Sequence, residues 1–185
     1  MLSCRAMLIF SAAKPPRKPL PERLPERLFG LPPAITPDCR VLVLGSFPSA
    51  ASLAAKQYYA HPQNRFWRLA GDCLGIDLPT LAYRERIKRV NAAGIGIWDI
   101  YASCERIGSL DAAIRNAEFN DFKRVRRRAP RIARVLLNGG TAAKAVQHLA
   151  GLGFETIVLP SSSPANASQS YEFKLGHWRA ALEAK

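Results

Sequence analysis

The sequence has few acidic residues, widely separated cysteines and no long apolar run. Its 185 residues include 14 Asp+Glu against 27 Lys+Arg. No CxxC pair occurs among Cys4, Cys39, Cys73 and Cys104, which excludes the usual zinc and iron–sulfur patterns. No stretch of about 18 apolar residues occurs, which excludes a transmembrane helix. We therefore predict a cytoplasmic protein with free thiols. No motif implies a metal or an organic cofactor.

Positive charge is what the chain has in excess. The formal net charge is +13, which favours a polyanionic partner such as DNA or RNA, because bound phosphates release their counterions. The alternative is a basic surface with no specific anion. Hydrophobic residues make up 48% of the chain, enough for the core of one globular domain. No obligatory protein partner is evident.

The N-terminal part differs in composition from the rest. Residues 14–38 contain eight prolines, which fix φ and remove backbone donors. We predict that residues 1–38 form a Pro-rich basic arm, whose order the sequence leaves open, and that residues 39–185 form the folded domain. Residues 1–13 loosely imitate a signal peptide, but a basic, Pro-rich segment follows at once. A tail, or a true start at Met7, is favoured.

Short apolar runs alternate with helical patterns, which predicts an α/β fold with a mainly parallel sheet. The predicted strands are 41–44, 94–100, 134–137 and 156–159. The predicted helices are 64–74, 81–90, 121–128, 141–149 and a last one through 173–182. Residues 45–64 are predicted to form a long loop. In such sheets ligands bind at the carboxyl ends of the strands.

Three motifs follow these strand ends: GSFPS (45–49), QYYAHPQNRFW (57–67) and LPSSSPAN (159–166). Together they resemble the uracil-DNA glycosylase superfamily, and most of all its hypoxanthine-DNA glycosylase branch, over residues 40–182. The resemblance implies a three-layer α/β/α sandwich with a four-stranded parallel sheet. It also implies a monofunctional DNA glycosylase of base excision repair. Such an enzyme hydrolyses the N-glycosidic bond of deaminated bases in DNA, here with hypoxanthine preferred.

Cleavage of this bond places positive charge on the sugar and negative charge on the departing base. The enzyme must hold a flipped base, stabilise its negative charge and position a water molecule. The resemblance implies a base pocket made of Gly45, Ser46, Phe47, Tyr59 and Asp99. Tyr59 would stack on the base, and the backbone of 45–47 would supply donors. Asp99 would either accept a hydrogen bond from a ring N–H of the base or cap the next turn.

Asn64 is the predicted catalytic residue. Better-known branches of the superfamily carry Asp or Asn at the position of Phe47 to handle the water, and phenylalanine cannot do this. The hypoxanthine branch is similar in lacking that residue, and the resemblance implies that Asn64 orients the water through its amide carbonyl. Considered without the resemblance, Asn64 is more simply a cap of the helix that follows, and the two roles are compatible.

The last motif is predicted to bind DNA through hydroxyls and backbone amides that hold phosphates. Its residues are Ser161, Ser162, Ser163, Pro164, Ala165 and Asn166. Ala165 stands where related enzymes insert a larger wedge, which predicts dependence on unstable pairs or single strands. Ser161 stands where the uracil branch has a catalytic histidine, which predicts weak uracil excision.

Three alternatives remain at this point. One is a uracil or G:U mismatch glycosylase, and another is a non-catalytic DNA-binding module, which Phe47 favours. The third is a serine hydrolase using Ser46 or Ser49 with His177, although G-x-S-x-G is missing. The basic run at 123–134 is interpreted as a solvated helix face.

Overall fold

The computed structural model describes residues 27–183. Its strands are β1 (Arg27–Phe29), β2 (Val41–Gly45), β3 (Ile95–Asp99), β4 (Tyr101–Glu105), β5 (Arg115–Phe119), β6 (Arg134–Asn138) and β7 (Glu155–Leu159). Its α-helices are α1 (Ala50–Ala55), α2 (Phe66–Leu74), α3 (Tyr83–Ala92), α4 (Phe122–Arg128), α5 (Val146–Gly151) and α6 (Tyr171–Glu183). Short 3₁₀ helices span Leu78–Thr80, Asp111–Ala113 and Ala142–Ala145. None of the helices in this range is long and apolar enough to cross a bilayer.

The main sheet has four parallel strands in the order β3-β2-β6-β7. In the inner strand β2, the side chains of Leu42, Val43 and Leu44 are fully buried, as expected for a strand covered on both faces. Helices flank the sheet, and the predicted α/β/α sandwich with a four-stranded parallel sheet is confirmed. The register aligns Gly45 with Asp99 and Asn138 with Leu159, so the carboxyl ends of all four strands lie at one edge.

A second sheet was not predicted. It is antiparallel, in the order β1-β4-β5. Its outer strand β5 has the sequence RNAEF and is largely exposed, so it lacks the apolar pattern of a buried strand. Arg27 of β1 links all three strands of this sheet. Its guanidinium lies 2.6 Å from the Glu118 carboxylate on β5 and donates to Ser103 Oγ on β4 at 2.8 Å.

Residues 27–38 pack against the domain. The Tyr58 hydroxyl donates to the carbonyl oxygen of Leu31, and so does Trp98 Nε1. Ala34 forms an antiparallel bridge with Ile97, and Ile35 is buried in the core. The boundary at residue 38 stays a prediction, and the remainder of the predicted arm, residues 1–26, lies outside the described residues.

Part of the predicted loop at 45–64 is helical, which corrects that prediction. Helix α1 follows Ser49, whose Oγ accepts from Ser52 N at 3.2 Å, and ends at Lys56 with φ +52°. The segment AASLAA is rich in strong helix formers, and a serine cap is enough to start it. Its short length and its polar, Pro-containing flanks concealed this signal.

Candidate active site

Asn64 precedes helix α2, and hydrogen bonds hold its side chain. Its Oδ1 accepts from Phe66 N at 2.9 Å and from Ser162 Oγ at 3.0 Å. Asn64 therefore does cap the helix, as expected from its residue type. Both lone pairs of the amide oxygen are used, and Nδ2 has no partner among residues 27–183. A water held by Asn64 would meet this amide nitrogen, or would displace the Ser162 hydroxyl from the oxygen.

Asn138, at the end of β6, positions the partner of Asn64. Its Nδ2 donates to Ser162 Oγ and its Oδ1 accepts from Ser162 N, both at 2.8 Å. The resulting chain runs from Asn138 through Ser162 to Asn64, which we call the amide–hydroxyl chain. The sequence analysis did not single out Asn138. Its place at the carboxyl end of a buried strand was the signal for a role at this edge.

Ser162 was predicted to contact DNA, and the structure corrects this. Its side chain is fully buried and its hydroxyl already joins Asn138 to Asn64. A phosphate could not reach that hydroxyl without breaking the chain. The physical reason is local: the backbone of Ser162 also pairs with α2, because Arg65 N donates to Ser162 O at 3.0 Å.

The neighbouring residues of this loop lie closer to the surface. Lys174 is buried, and its Nζ donates to Ser161 O at 2.8 Å and to Asn166 O at 2.6 Å. Burial, together with the charge of Arg65, lowers the pKa of Lys174. Lys174 thus fixes the two ends of the segment 161–166. Ala165 is exposed at its tip.

Tyr59 lies between the amide–hydroxyl chain and the end of β2. Its ring stacks on Phe66, with centroids 3.8 Å apart and planes inclined by 15°. Its hydroxyl accepts from Asn138 Nδ2 at 3.3 Å. The backbone at Tyr59 adopts φ +54°, an uncommon conformation for a non-glycine residue. Burial raises the pKa of Tyr59, so the phenol is neutral.

Gly45 and Asp99 pair in register at the ends of β2 and β3. A Cβ atom on Gly45 would lie 2.5 Å from Asp99 Oδ1 and 3.4 Å from the Tyr59 hydroxyl, so only glycine fits here. Asp99 is 4% exposed, and its Oδ2 is buried without a hydrogen-bond partner in the described part of the chain. Desolvation, reinforced by Asp111 and opposed by Arg106, raises the pKa of Asp99 to about 8. At neutral pH the carboxyl group is therefore mostly protonated.

Ser46 and Phe47 are covered by the segment that follows β4. Ser46 Oγ donates to Asp111 Oδ1 at 2.7 Å. The Arg106 guanidinium lies over the Phe47 ring, 5.1 Å from its centroid, and donates to the Pro48 carbonyl oxygen. Sequence reasoning missed Arg106 and Asp111, because no motif links them to residues 45–48.

Several predicted residues line one cavity of about 790 Å³. They are Tyr59, Asn64, Ser163, Pro164 and Asn166. The same cavity is lined by the positively charged residues Arg65, Arg68, Arg86 and Lys174, which suit a phosphate backbone. Gly45, Ser46, Phe47 and Asp99 do not line it, and Tyr59 connects them to it.

A larger groove, of about 1150 Å³, lies at the opposite edge of the sheet. It is lined by Arg40 and Gly94, which precede β2 and β3. Since ligands of parallel sheets bind at the carboxyl edge, the smaller cavity is the candidate active site.

A family model described as the uracil DNA glycosylase superfamily matches residues 32–184. The chain belongs to this superfamily. A relative from Methanosarcina acetivorans named hypoxanthine DNA glycosylase is 39% identical over 74% of this chain and 87% of its own length. Another of that name, from Methanosarcina barkeri, is 37% identical over 83% and 97%. A solution NMR structure from M. acetivorans, described as a candidate uracil DNA glycosylase, has a TM-score of 0.77 and 36% identity. It covers 85% of this chain and 97% of its own.

The serine hydrolase alternative finds no support in this superfamily member. Ser46 donates to Asp111, and Ser49 Oγ donates to Ser52 Oγ at 3.1 Å. The His177 ring is instead hydrogen-bonded to Phe173 O at 2.9 Å. Neither serine has the histidine partner that an activated nucleophile requires within residues 27–183.

Proposed function

We propose that the protein is a monofunctional DNA glycosylase that removes deaminated bases from DNA, with hypoxanthine preferred. The observation that carries this proposal is the site itself. An asparagine held through a buried serine stands beside a stacked tyrosine, at a cavity lined by four cations. The names of the two relatives support the choice of base.

The base enters after it leaves the duplex stack. One face of Tyr59 is occupied by Phe66, so the other face is the one that a base would stack on. Stacking of a base on an aromatic ring contributes about 1–3 kcal/mol. Since Phe66 backs the ring, Tyr59 would act as a rigid platform.

Bond cleavage then sends the electron pair of the glycosidic bond to the base. A water adds to the anomeric carbon of the sugar cation, and its proton leaves to solvent. Asn64 cannot take that proton, but its fixed amide can hold the water. Positioning is enough where bond breaking precedes attack. The products are an abasic site and the free base.

The DNA strand would lie along the basic lining of the cavity. Ser161, Ser163, Pro164, Ala165 and Asn166 remain proposed DNA contacts, with backbone amides and hydroxyls as donors. Ser162 is excluded from this set by its burial. A location in the cytoplasm also stays a prediction.

Uracil excision is the second candidate, because the M. acetivorans structure is described as a candidate uracil DNA glycosylase. Phe47 and Ser161 occupy the positions at which uracil-excising relatives are expected to carry catalytic side chains. We therefore expect slower release of uracil than of hypoxanthine.

The test uses end-labelled oligonucleotides that each carry one hypoxanthine, uracil or xanthine, with alkali to reveal abasic sites. We expect strand cleavage mainly at hypoxanthine, and more on single strands or mismatches than on stable pairs. Cleavage mainly at uracil would assign the second candidate. Binding to DNA without release of any base would overturn the enzymatic proposal.

A further inference from the structure

Asp99 is a buried acid that the mechanism above leaves unused. It ends β3, an edge strand of the four-stranded sheet, and its Oδ2 atom has no hydrogen-bond partner among residues 27–183. Buried polar groups in native proteins are nearly always paired, so an unpaired carboxyl group packed against Gly45 and close to Tyr59, which lines the cavity, indicates a group that can bind a ligand.

The surroundings of Asp99 disfavour its ionised form. Within residues 27–183, the charged groups that act on it are Asp111 and Arg106. The Asp111 carboxylate repels it. Arg106 is directed elsewhere, with its guanidinium over Phe47 and one nitrogen on the Pro48 carbonyl.

The remaining titratable groups that face Asp99 are tyrosines. Tyr58, Tyr59 and Tyr83 interact with its charge, and burial raises the pKa of each. They are therefore neutral wherever Asp99 titrates. No lysine or histidine acts on the carboxyl group within the described part of the chain.

We propose that Asp99 works as a neutral carboxylic acid, donating a hydrogen bond to the carbonyl oxygen of the departing base. This inference rests on the proposed glycosylase function. Deamination replaces an amino group by a carbonyl and leaves an N–H beside it. A neutral acid suits that carbonyl, because its hydroxyl can donate a hydrogen bond that an ionised carboxylate cannot donate.

The donated bond strengthens as the glycosidic bond breaks. The electron pair of that bond moves into the base and places negative charge on its carbonyl oxygen, where the Asp99 hydroxyl would be. The proton stays on Asp99, so no further co-reactant is needed. An ionised Asp99 would repel the same oxygen. The acid would supply stabilisation of the leaving base that Ser161 cannot supply.

Gly45 makes the approach possible. Its missing side chain leaves the space into which Asp99 Oδ1 projects, with the Tyr59 hydroxyl on the other side. A base stacked on the face of Tyr59 opposite Phe66 would bring its carbonyl edge toward this space.

The test is the pH dependence of hypoxanthine release under single-turnover conditions. The wild-type rate should fall about tenfold between pH 7 and pH 9, as one group with a pKa near 8 loses its proton. Asp99→Asn keeps a donor and an acceptor but cannot ionise, so its rate should lack this fall. At pH 7 it should exceed the rate of Asp99→Ala by at least about tenfold.

Two further variants sharpen the result. Asp111→Asn removes the repelling charge, which lowers the pKa of Asp99 and should move the alkaline fall to lower pH. Asp77→Asn removes an exposed carboxylate and should leave the profile unchanged. The same profile in wild type and Asp99→Asn would overturn the proposal.

Failure of the proposed function gives a different result. In that case the wild-type protein would release no base at any pH. The proposed role of Asp99 toward the leaving base would then also be wrong. The pH dependence of the free energy of unfolding would still report whether Asp99 is protonated.

Discussion

The two halves of the carboxyl edge of the sheet differ in whether their buried polar side chains have hydrogen-bond partners. At β6 and β7, the amide–hydroxyl chain satisfies the side chains of Asn138 and Ser162. Beside β2 and β3, Asp99 Oδ2 and two nitrogen atoms of Arg106 are buried without partners among residues 27–183. A network in which every polar group is hydrogen-bonded holds its side chains in one arrangement. A buried polar group without a partner can still form a hydrogen bond to a ligand. The first half holds the Asn64 side chain, and in the proposed function the second would receive the base.

The largest effect on the β2–β3 half of this edge is expected from replacing Gly45. Gly45→Ala places a methyl group 2.5 Å from Asp99 Oδ1, so the carboxyl group must move. We expect at least about a 100-fold loss of hypoxanthine release and a loss of about 1–3 kcal/mol in the free energy of unfolding.

Gly176→Ala is the matched control for that change. Gly176 lies within α6 with open space around its Cβ position. Alanine there should stabilise the helix by about 0.5–1 kcal/mol and leave the rate unchanged. If Gly45→Ala behaved like this control, the close approach of Asp99 to Gly45 would be wrong.

The charge state of Asp99 should appear in the stability of the protein. Its pKa is raised from 3.8 to about 8 on folding, so its contribution is complete below pH 4 and is lost as pH rises to 8. Asp99→Asn has no such loss. Relative to wild type, it should therefore gain about 3–5 kcal/mol in the free energy of unfolding between pH 4 and pH 8.5. Urea denaturation of both proteins at the two pH values measures this, and a constant difference would contradict the raised pKa.

Disrupting the amide–hydroxyl chain should reduce activity less than replacing Gly45 does. Asn138→Ala removes both bonds to Ser162, which then no longer fixes the Asn64 oxygen. We expect hypoxanthine release to fall about 10–100-fold and the free energy of unfolding to fall by about 1–3 kcal/mol. Binding to DNA should persist in a gel-shift assay.

Ser168→Ala serves as the control for Asn138→Ala, since Ser168 is exposed in the turn after the same loop. Equal rates for Asn138→Ala and Ser168→Ala would show that the amide–hydroxyl chain does not position Asn64.

The smallest effect is expected at Lys174. Lys174→Met keeps the length of the side chain but removes the two hydrogen bonds that fix segment 161–166. Binding to DNA, measured by fluorescence anisotropy, should weaken about threefold to tenfold. The salt dependence should become shallower if the lysine also contacts a phosphate. Unchanged affinity would mean that the loop needs no such anchor.

The sequence predicted the parallel sheet because its strands are continuous apolar runs, such as 41–44. It did not predict β5, whose polar residues look like a loop. The resemblance brought Asn64 and Ser162 into one site, although they are 98 residues apart.

Sequence reasoning could not show that the Asn64 oxygen faces the protein. Nor could it place Arg106 and Asp111 beside Phe47 and Ser46, since those contacts arise from packing between distant segments. The pattern around Asp99 indicated a buried strand, but only the structure shows that burial, reinforced by the charge of Asp111, raises the pKa of its carboxyl group.

The most direct test of the account compares Asn64→Ala with Asn64→Asp in hypoxanthine release. Aspartate keeps an oxygen that can cap α2, so it preserves the fold while removing the free amide nitrogen. We expect each of the two variants to lower the single-turnover rate at least about 100-fold while DNA binding and urea denaturation show a folded protein. Wild-type rates in a folded Asn64→Ala protein would contradict the account and reduce Asn64 to a helix cap.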